Sequence, residues 1–123
     1  MTETSAPRQG DVWQAQILGK NRPQDRDNPH HIRLVVVVST DLYNEYELAY
    51  LVAPVLPWTD DRGLLPTNLT VQPGDGGIAG KAVVFTTEIR TIAPWRVVTK
   101  VGVLQPSTVQ ALKDTLRITF DLL

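Results

Sequence analysis

The chain has 123 residues, enough for one domain with its own core and too few for two. Its 42% hydrophobic and 20% charged residues are ordinary for a globular protein, and zero cysteines exclude disulfides, thiolate metal sites and a cysteine nucleophile. The net charge of -1 gives no global pull toward nucleic acid, so any such site has to be a local patch.

No apolar run is long enough to span a membrane. Met1–Pro7 lacks the apolar core of a signal peptide. A reducing, cytoplasmic setting is therefore expected. Residues 1–9 read as an N-terminal tail and 10–123 as the domain.

Asp11 to Leu18 reads as a first strand, because Trp13, Ala15 and Ile17 alternate with Gln14 and Gln16. Gly19 to Pro29, with Gly, two Pro, two Asn and two Asp, reads as a loop. Ile32 to Ser39 is a second strand: four successive valines favour extended backbone, and an unbroken apolar run points to burial on both faces. Ser39 or Thr40 can cap a short helical turn through Tyr43. Glu47 to Val55 reads as a third strand, ended by Pro54 and Pro57. Trp58 to Pro66 is a loop, Asn68 to Val71 a short strand and Pro73 to Gly77 a turn. Lys81 to Phe85 is a buried strand that Thr86 to Ile92 either continues or bends away from. Pro94-Trp95 marks a turn before a last strand, Val97 to Leu104.

The remainder is helical. Pro106 suits a first helical position, and Val109, Leu112, Leu116, Phe120 and Leu123 recur at three- and four-residue steps to form one apolar stripe. Gln105 is a poor cap, so fraying is expected at that end. Short strands followed by one helix predict a small, strongly bent sheet or barrel with a helix laid on it.

Three familiar motifs fail on detail. Gly80-Lys81 would need Gly in place of Asp75 and Ser or Thr in place of Ala82 to be a phosphate loop. His30-His31 are the only histidines, and neighbours on extended backbone point to opposite sides, so no metal site is expected. Nothing resembles a strained turn presenting a nucleophilic serine.

What remains is a cationic segment. Lys20, Arg22, Arg26, His30, His31 and Arg33 lie close together, against Asp25 and Asp27. Such a segment can hold a phosphate backbone by charge and planar hydrogen bonds. Histidine titrates near neutrality and can move a proton. A base for the ribose 2′-OH, a guanidinium for the charge developing on phosphorus and an acid for the leaving oxygen are the parts of an RNA-cleaving site. The plainer alternative is a solvated loop with incidental charge.

Several segments, in order, resemble the MazF/PemK family of bacterial toxins, which are RNA endonucleases. Arg8-Gln9-Gly10-Asp11-Val12-Trp13 is similar to the family's opening. Arg33-Leu34-Val35-Val36-Val37-Val38-Ser39 resembles its Arg-Pro-x-Val-Val-Val-Ser strand, and Leu51-Val52-Ala53-Pro54-Val55 its next one. Pro66 to Val71, Val83 to Ile92 and Gly102 to Pro106 continue the match.

The resemblance implies a mainly β, SH3-like small barrel with a C-terminal α-helix, acting as a homodimer. It implies a toxin that cleaves single-stranded RNA, mRNA included, at short motifs and is restrained by a cognate antitoxin. It makes Arg33 catalytic. His31, or else His30, is then the general base or acid, with Asp27 orienting it. Lys20, Arg22, Arg26 and Arg90 are expected to hold phosphates, with Thr59 as a substitute hydroxyl. No metal or cofactor is expected.

The sequence departs from the pattern at Leu34, where the family has Pro, and at Thr87-Glu88, where it has Asp-Gln. Leu56 stands where a catalytic Thr or Ser is common. A binding module that holds antitoxin or RNA without cutting is therefore the second expectation, and a purely structural barrel the third. Trp13, Trp58 and Trp95 are large surfaces fit for a core or an interface.

Overall fold

The computed structural model describes residues 6–17 and 30–122. Seven strands appear among them: β1 (Asp11–Gln16), β2 (Ile32–Val37), β3 (Tyr50–Pro57), β4 (Asn68–Val71), β5 (Ala82–Phe85), β6 (Arg90–Ile92) and β7 (Val97–Val103). Two one-turn helices, α1 (Asp41–Asn44) and α2 (Asp60–Gly63), lie in connections, and α3 (Pro106–Phe120) closes the domain. The sheet is antiparallel throughout, in the order β4-β5-β3-β2-β1-β7, with β6 paired to β3. Among the described residues no ladder joins β4 to β7, so the sheet stays open where a barrel would close. The mainly β class with a C-terminal helix is as expected.

The valine run of β2 behaves as its chemistry demands. Val35, Val36, Val37 and Val38 are all buried. Val36 and Val38 join Val12, Ala53, Val84 and Leu112 in the larger core, beneath α3. Val35 and Val37 join Ala15, Ile17, Tyr50, Val52 and Ile92 in a second cluster on the other face. Leu112 is fully buried, and truncating such a leucine to alanine costs about 2–5 kcal/mol.

β3 starts later and runs further than its prolines suggested. It pairs with β2 through Val35↔Pro54, then with β5 from Val55 to Pro57. Pro54 thus stands where one ladder ends and the next begins, the place where a residue with no N–H is tolerated. The Thr86-to-Ile92 alternative resolves as a bend. A 3-10 turn at Thr86–Glu88 interrupts the run, and β6 then pairs with Tyr50 to Val52. The expected loop from Trp58 to Pro66 contains α2, where the Thr59 hydroxyl accepts from Arg62 N–H at 3.3 Å.

The larger correction concerns the start of α3. Gln105 makes no side-chain cap, but the end is not left open. Asp75, buried in the 3-10 turn Asp75–Gly77, accepts from Gln105 N–H at 2.8 Å and from the Thr108 hydroxyl. A carboxylate there also complements the positive end of the helix dipole. That turn rests on β7 so closely that a Cβ on Gly102 would lie 2.5 Å from the Gly76 carbonyl oxygen, which only glycine permits. At the other end of α3 the stripe breaks. Phe120 is 56% exposed, and Ala111 and Thr115 complete the inner face with Leu112 and Leu116. Leu123 lies outside the described residues.

The first strand is fixed by a second buried acid. Asp11 accepts from Arg8 N–H at 2.8 Å and from the Trp13 indole at 3.3 Å, and Lys100 lies 3.6 Å away. Arg8 also bridges to Asp41 at 2.7 Å, and Gln9 donates from its backbone to the same carboxylate. Thr40, not Ser39, caps α1. Ser39 instead accepts from Leu51 N–H at 3.1 Å and meets the buried Asn44 side chain.

Candidate functional site

Strand register locates the candidate residues. Arg33 pairs with Ala15 across β1 and sits half-buried on the face turned away from α3, in line with Val35 and Val37. The β2·β3 ladder ends at Val35↔Pro54. Side chains alternate along a strand, so Leu56 continues the face of Val52 and Pro54, but by then β3 has left β2 for β5. Leu56 is half-buried and paired with Val83. Leu56 is thus apolar and spoken for by the sheet.

His30 and His31 immediately precede β2. His31 has φ +54, so the backbone there is not extended, and the expectation that the two rings simply alternate sides does not hold. His30 is exposed and His31 half-buried, and the His31 carbonyl accepts from Ile17 N–H at 3.0 Å, which ties the segment to the end of β1. Among the described residues no three His, Asp or Glu side chains converge as metal ligands.

Arg90 is exposed on β6, opposite Val52. From Val52 to Leu56 along β3 is four residues, so Arg90 stands about 13 Å along the sheet from the Leu56 level. Glu88, on the preceding turn, is exposed and forms no ion pair with Arg90 or Arg33 among the described residues. Thr59 is exposed and capping α2, just beyond the end of β3. Lys20, Arg22, Arg26 and Asp27 lie outside the described residues. Among the described residues, His31 and Arg33 thus share the start of β2, Leu56 lies where β3 pairs with β5, and Arg90 stands apart on β6.

Tyr50 belongs to the same face. Burial pushes its hydroxyl above the usual 10.0, and the Glu47 carboxylate adds to the rise. Two aromatic–cation pairs sit at the Arg33 end of the sheet: Lys81 Nζ is 3.9 Å from the Trp58 ring centroid, and the Arg96 guanidinium 4.3 Å from that of Trp95. Arg96 also donates to the Gln16 amide oxygen at 3.3 Å. Sequence reasoning left Arg96 out. It is a cation beside a tryptophan just after a turn proline, and that adjacency was its only signal.

An open antiparallel sheet with a helix on one face and a cationic strand end defines a small, mainly β domain. A family model described as "PemK-like, MazF-like toxin of type II toxin-antitoxin system" matches residues 8–120, and the chain belongs to that family. Solved structures share the fold. An endoribonuclease from a mycobacterial species, in complex with its cognate antitoxin, is 19% identical with a TM-score of 0.75, over 96% of this chain and 98% of that one. The Mycobacterium tuberculosis toxin MazF-mt6 is 20% identical with a TM-score of 0.71, over 91% and 97% of the two chains. A MazE-MazF complex from Deinococcus radiodurans is 18% identical with a TM-score of 0.66, over 96% and 98%.

Proposed function

We propose that this toxin is an endoribonuclease that cuts single-stranded RNA at a short sequence motif by attack of the ribose 2′-OH. The observation that carries the reading is Arg33, half-buried on the face away from α3 at the start of β2, two residues after His31. The 2′-oxygen bonds to phosphorus, the bond to the 5′-oxygen breaks, and the base's proton balance is closed by protonation of that leaving oxygen. Arg33 stabilises the charge on the phosphoryl oxygens. His31, or His30, moves the proton, with Asp27 orienting it. Lys20, Arg22, Arg26 and Arg90 hold flanking phosphates, and Thr59 supplies a hydroxyl from the end of β3. The nucleophile belongs to the substrate, so the scheme calls for no metal. The working form is a cytoplasmic homodimer held in check by an antitoxin, as the complexes named for its structural neighbours suggest.

Purified protein incubated with a long unstructured RNA, without divalent metal, should give ends that share one motif. Arg33→Ala should stay folded and lose about 10²–10³-fold in rate, the scale of one lost transition-state donor. Equal cleavage by that variant would remove Arg33 from the mechanism. Leu56 favours one second reading: with no hydroxyl at that position, the domain binds RNA or antitoxin without cutting. Tight antitoxin binding with no cleavage product at any pH would establish it.

A further inference from the structure

We propose that Trp95 is a stacking platform for one base of single-stranded RNA, next to the linkage that Arg33 engages; this rests on the endoribonuclease reading. The three tryptophans differ in what they already do. Trp13 is half-buried against the second core cluster and donates to Asp11. Trp58 is pressed against Gly63 so tightly that a Cβ there would come within 2.3 Å of the indole nitrogen, and Lys81 covers its face. Trp95 is 70% exposed, with the Arg96 guanidinium over its ring.

Its place is set by register. Ala15 pairs with Arg33 on one side and Val97 on the other, so Arg33 and Val97 flank one residue at about 10 Å, twice the spacing between strands. Trp95 lies in the 3-10 turn Pro94–Arg96 that leads into Val97, and the Arg96 bond to Gln16 docks that turn on the end of β1. Gln16 is the register partner of Ile32, next to Arg33. The arginine over one ring face holds the indole and leaves the rest to a ligand.

Charge selects the ligand. Residues 30–33 and 93–97, the described segments flanking the end of β1 here, contain no Asp or Glu, and they carry His30, His31, Arg33 and Arg96. An exposed indole backed by a cation beside a cationic strand end is the combination that binds a polyanion carrying flat bases, and base–aromatic stacking is tolerant of sequence.

The test uses the intact protein and a short single-stranded oligoribonucleotide containing the cleaved motif, with 2′-deoxy at the scissile position so that binding is read without cleavage. Trp95→Ala should bind about ten- to a hundredfold more weakly, and Trp95→Phe should keep most of the affinity. The salt slope should stay that of the wild type, because stacking releases no counterions. Removing one base at a time from the oligonucleotide should reveal a position whose loss weakens wild type but not Trp95→Ala, the non-additivity of a direct contact. Wild-type affinity in the alanine variant would overturn the proposal. So would a shift of that variant from dimer to monomer in sedimentation, which would make Trp95 a protein contact. A wild type that binds no RNA at all would overturn the endoribonuclease reading and the platform with it.

Discussion

Asp75→Ala should be among the most damaging single changes outside the apolar core. The carboxylate is 8% exposed and takes two donors from the first turn of α3, Gln105 N–H and the Thr108 hydroxyl. A hydrogen bond to a charged group contributes about 1.5–3 kcal/mol, and a lost helix cap alone costs about 0.5–2 kcal/mol. Both bonds end on one side chain, so the terms overlap, and a total near 3 kcal/mol is expected. Against a domain stability of about 5–15 kcal/mol that is a large share. With a urea slope of about 2 kcal/mol/M, the midpoint should fall by about 1.5 M at unchanged slope. Asp75→Asn keeps an acceptor for Gln105 and offers an amide to Thr108, so it should lose only the helix-dipole share, about 1 kcal/mol. Thr108→Val should cost about 1 kcal/mol in wild type and nothing further in Asp75→Ala. A midpoint shift in Asp75→Ala below about 0.3 M, or full additivity of the two changes, would refute the remote cap.

Two further outcomes are expected. Leu56→Thr places a hydroxyl on β3 and should raise the cleavage rate of the wild type about tenfold or more, the scale of one added transition-state donor, measured by single-turnover cleavage; an unchanged rate would show that the position does not reach the phosphate. Tyr50→Phe should flatten the alkaline limb of stability: the folded protein holds the Tyr50 proton more tightly than the unfolded chain, whose tyrosine titrates near 10.0, so that contribution is intact below that pH and is lost as pH rises through the folded value. Thermal unfolding followed upward from neutral pH tests this, and equal alkaline loss in both proteins would assign it to another group.

How much of this was readable beforehand depends on how far apart the interacting residues lie. β2 announced itself because its signal is contained in its own valines, and both-face burial followed from the unbroken run. The α3 stripe was legible down to Leu116, but its cap was not, because Asp75 stands 30 residues before Gln105 and reaches it only once the sheet has folded. The extent of β3 was misjudged for a related reason. A proline signals a strand end locally, and only the topology reveals that Pro54 marks a change of partner. The left-handed His31 had no local signature at all, since neither a Gly nor an Asn stands there. For the site, the β2·β3 ladder stops at Val35↔Pro54, and Leu56 pairs with Val83 instead. Trp95 was visible as a residue, but its consequence required knowing that β7 lies beside β1.

The near-zero net charge of the chain conceals an arrangement by position. Asp11, Asp41 and Asp75 cluster where β1 begins, β2 and β7 end and α3 starts, and each is occupied there by backbone N–H groups, hydroxyls or the cations Arg8 and Lys100. His30, His31, Arg33 and Arg96 lie at the opposite ends of the same strands, and so does Lys81. Among the described residues, Asp60 and Asp61 in the first turn of α2 stand near that end, and they serve the helix dipole there. At physiological salt, charges separated by more than about 8 Å are largely screened from each other. Asp11, Asp41 and Asp75 lie about 15–20 Å from the Arg33 end, the length of a five- or six-residue strand, and so do not offset the cations there. A polyanion site on a protein of net charge -1 needs only such a local group of cations. That grouping also predicts the character of the site: weak long-range steering, and affinity made by a few close contacts in which one stacked base counts as much as one paired phosphate.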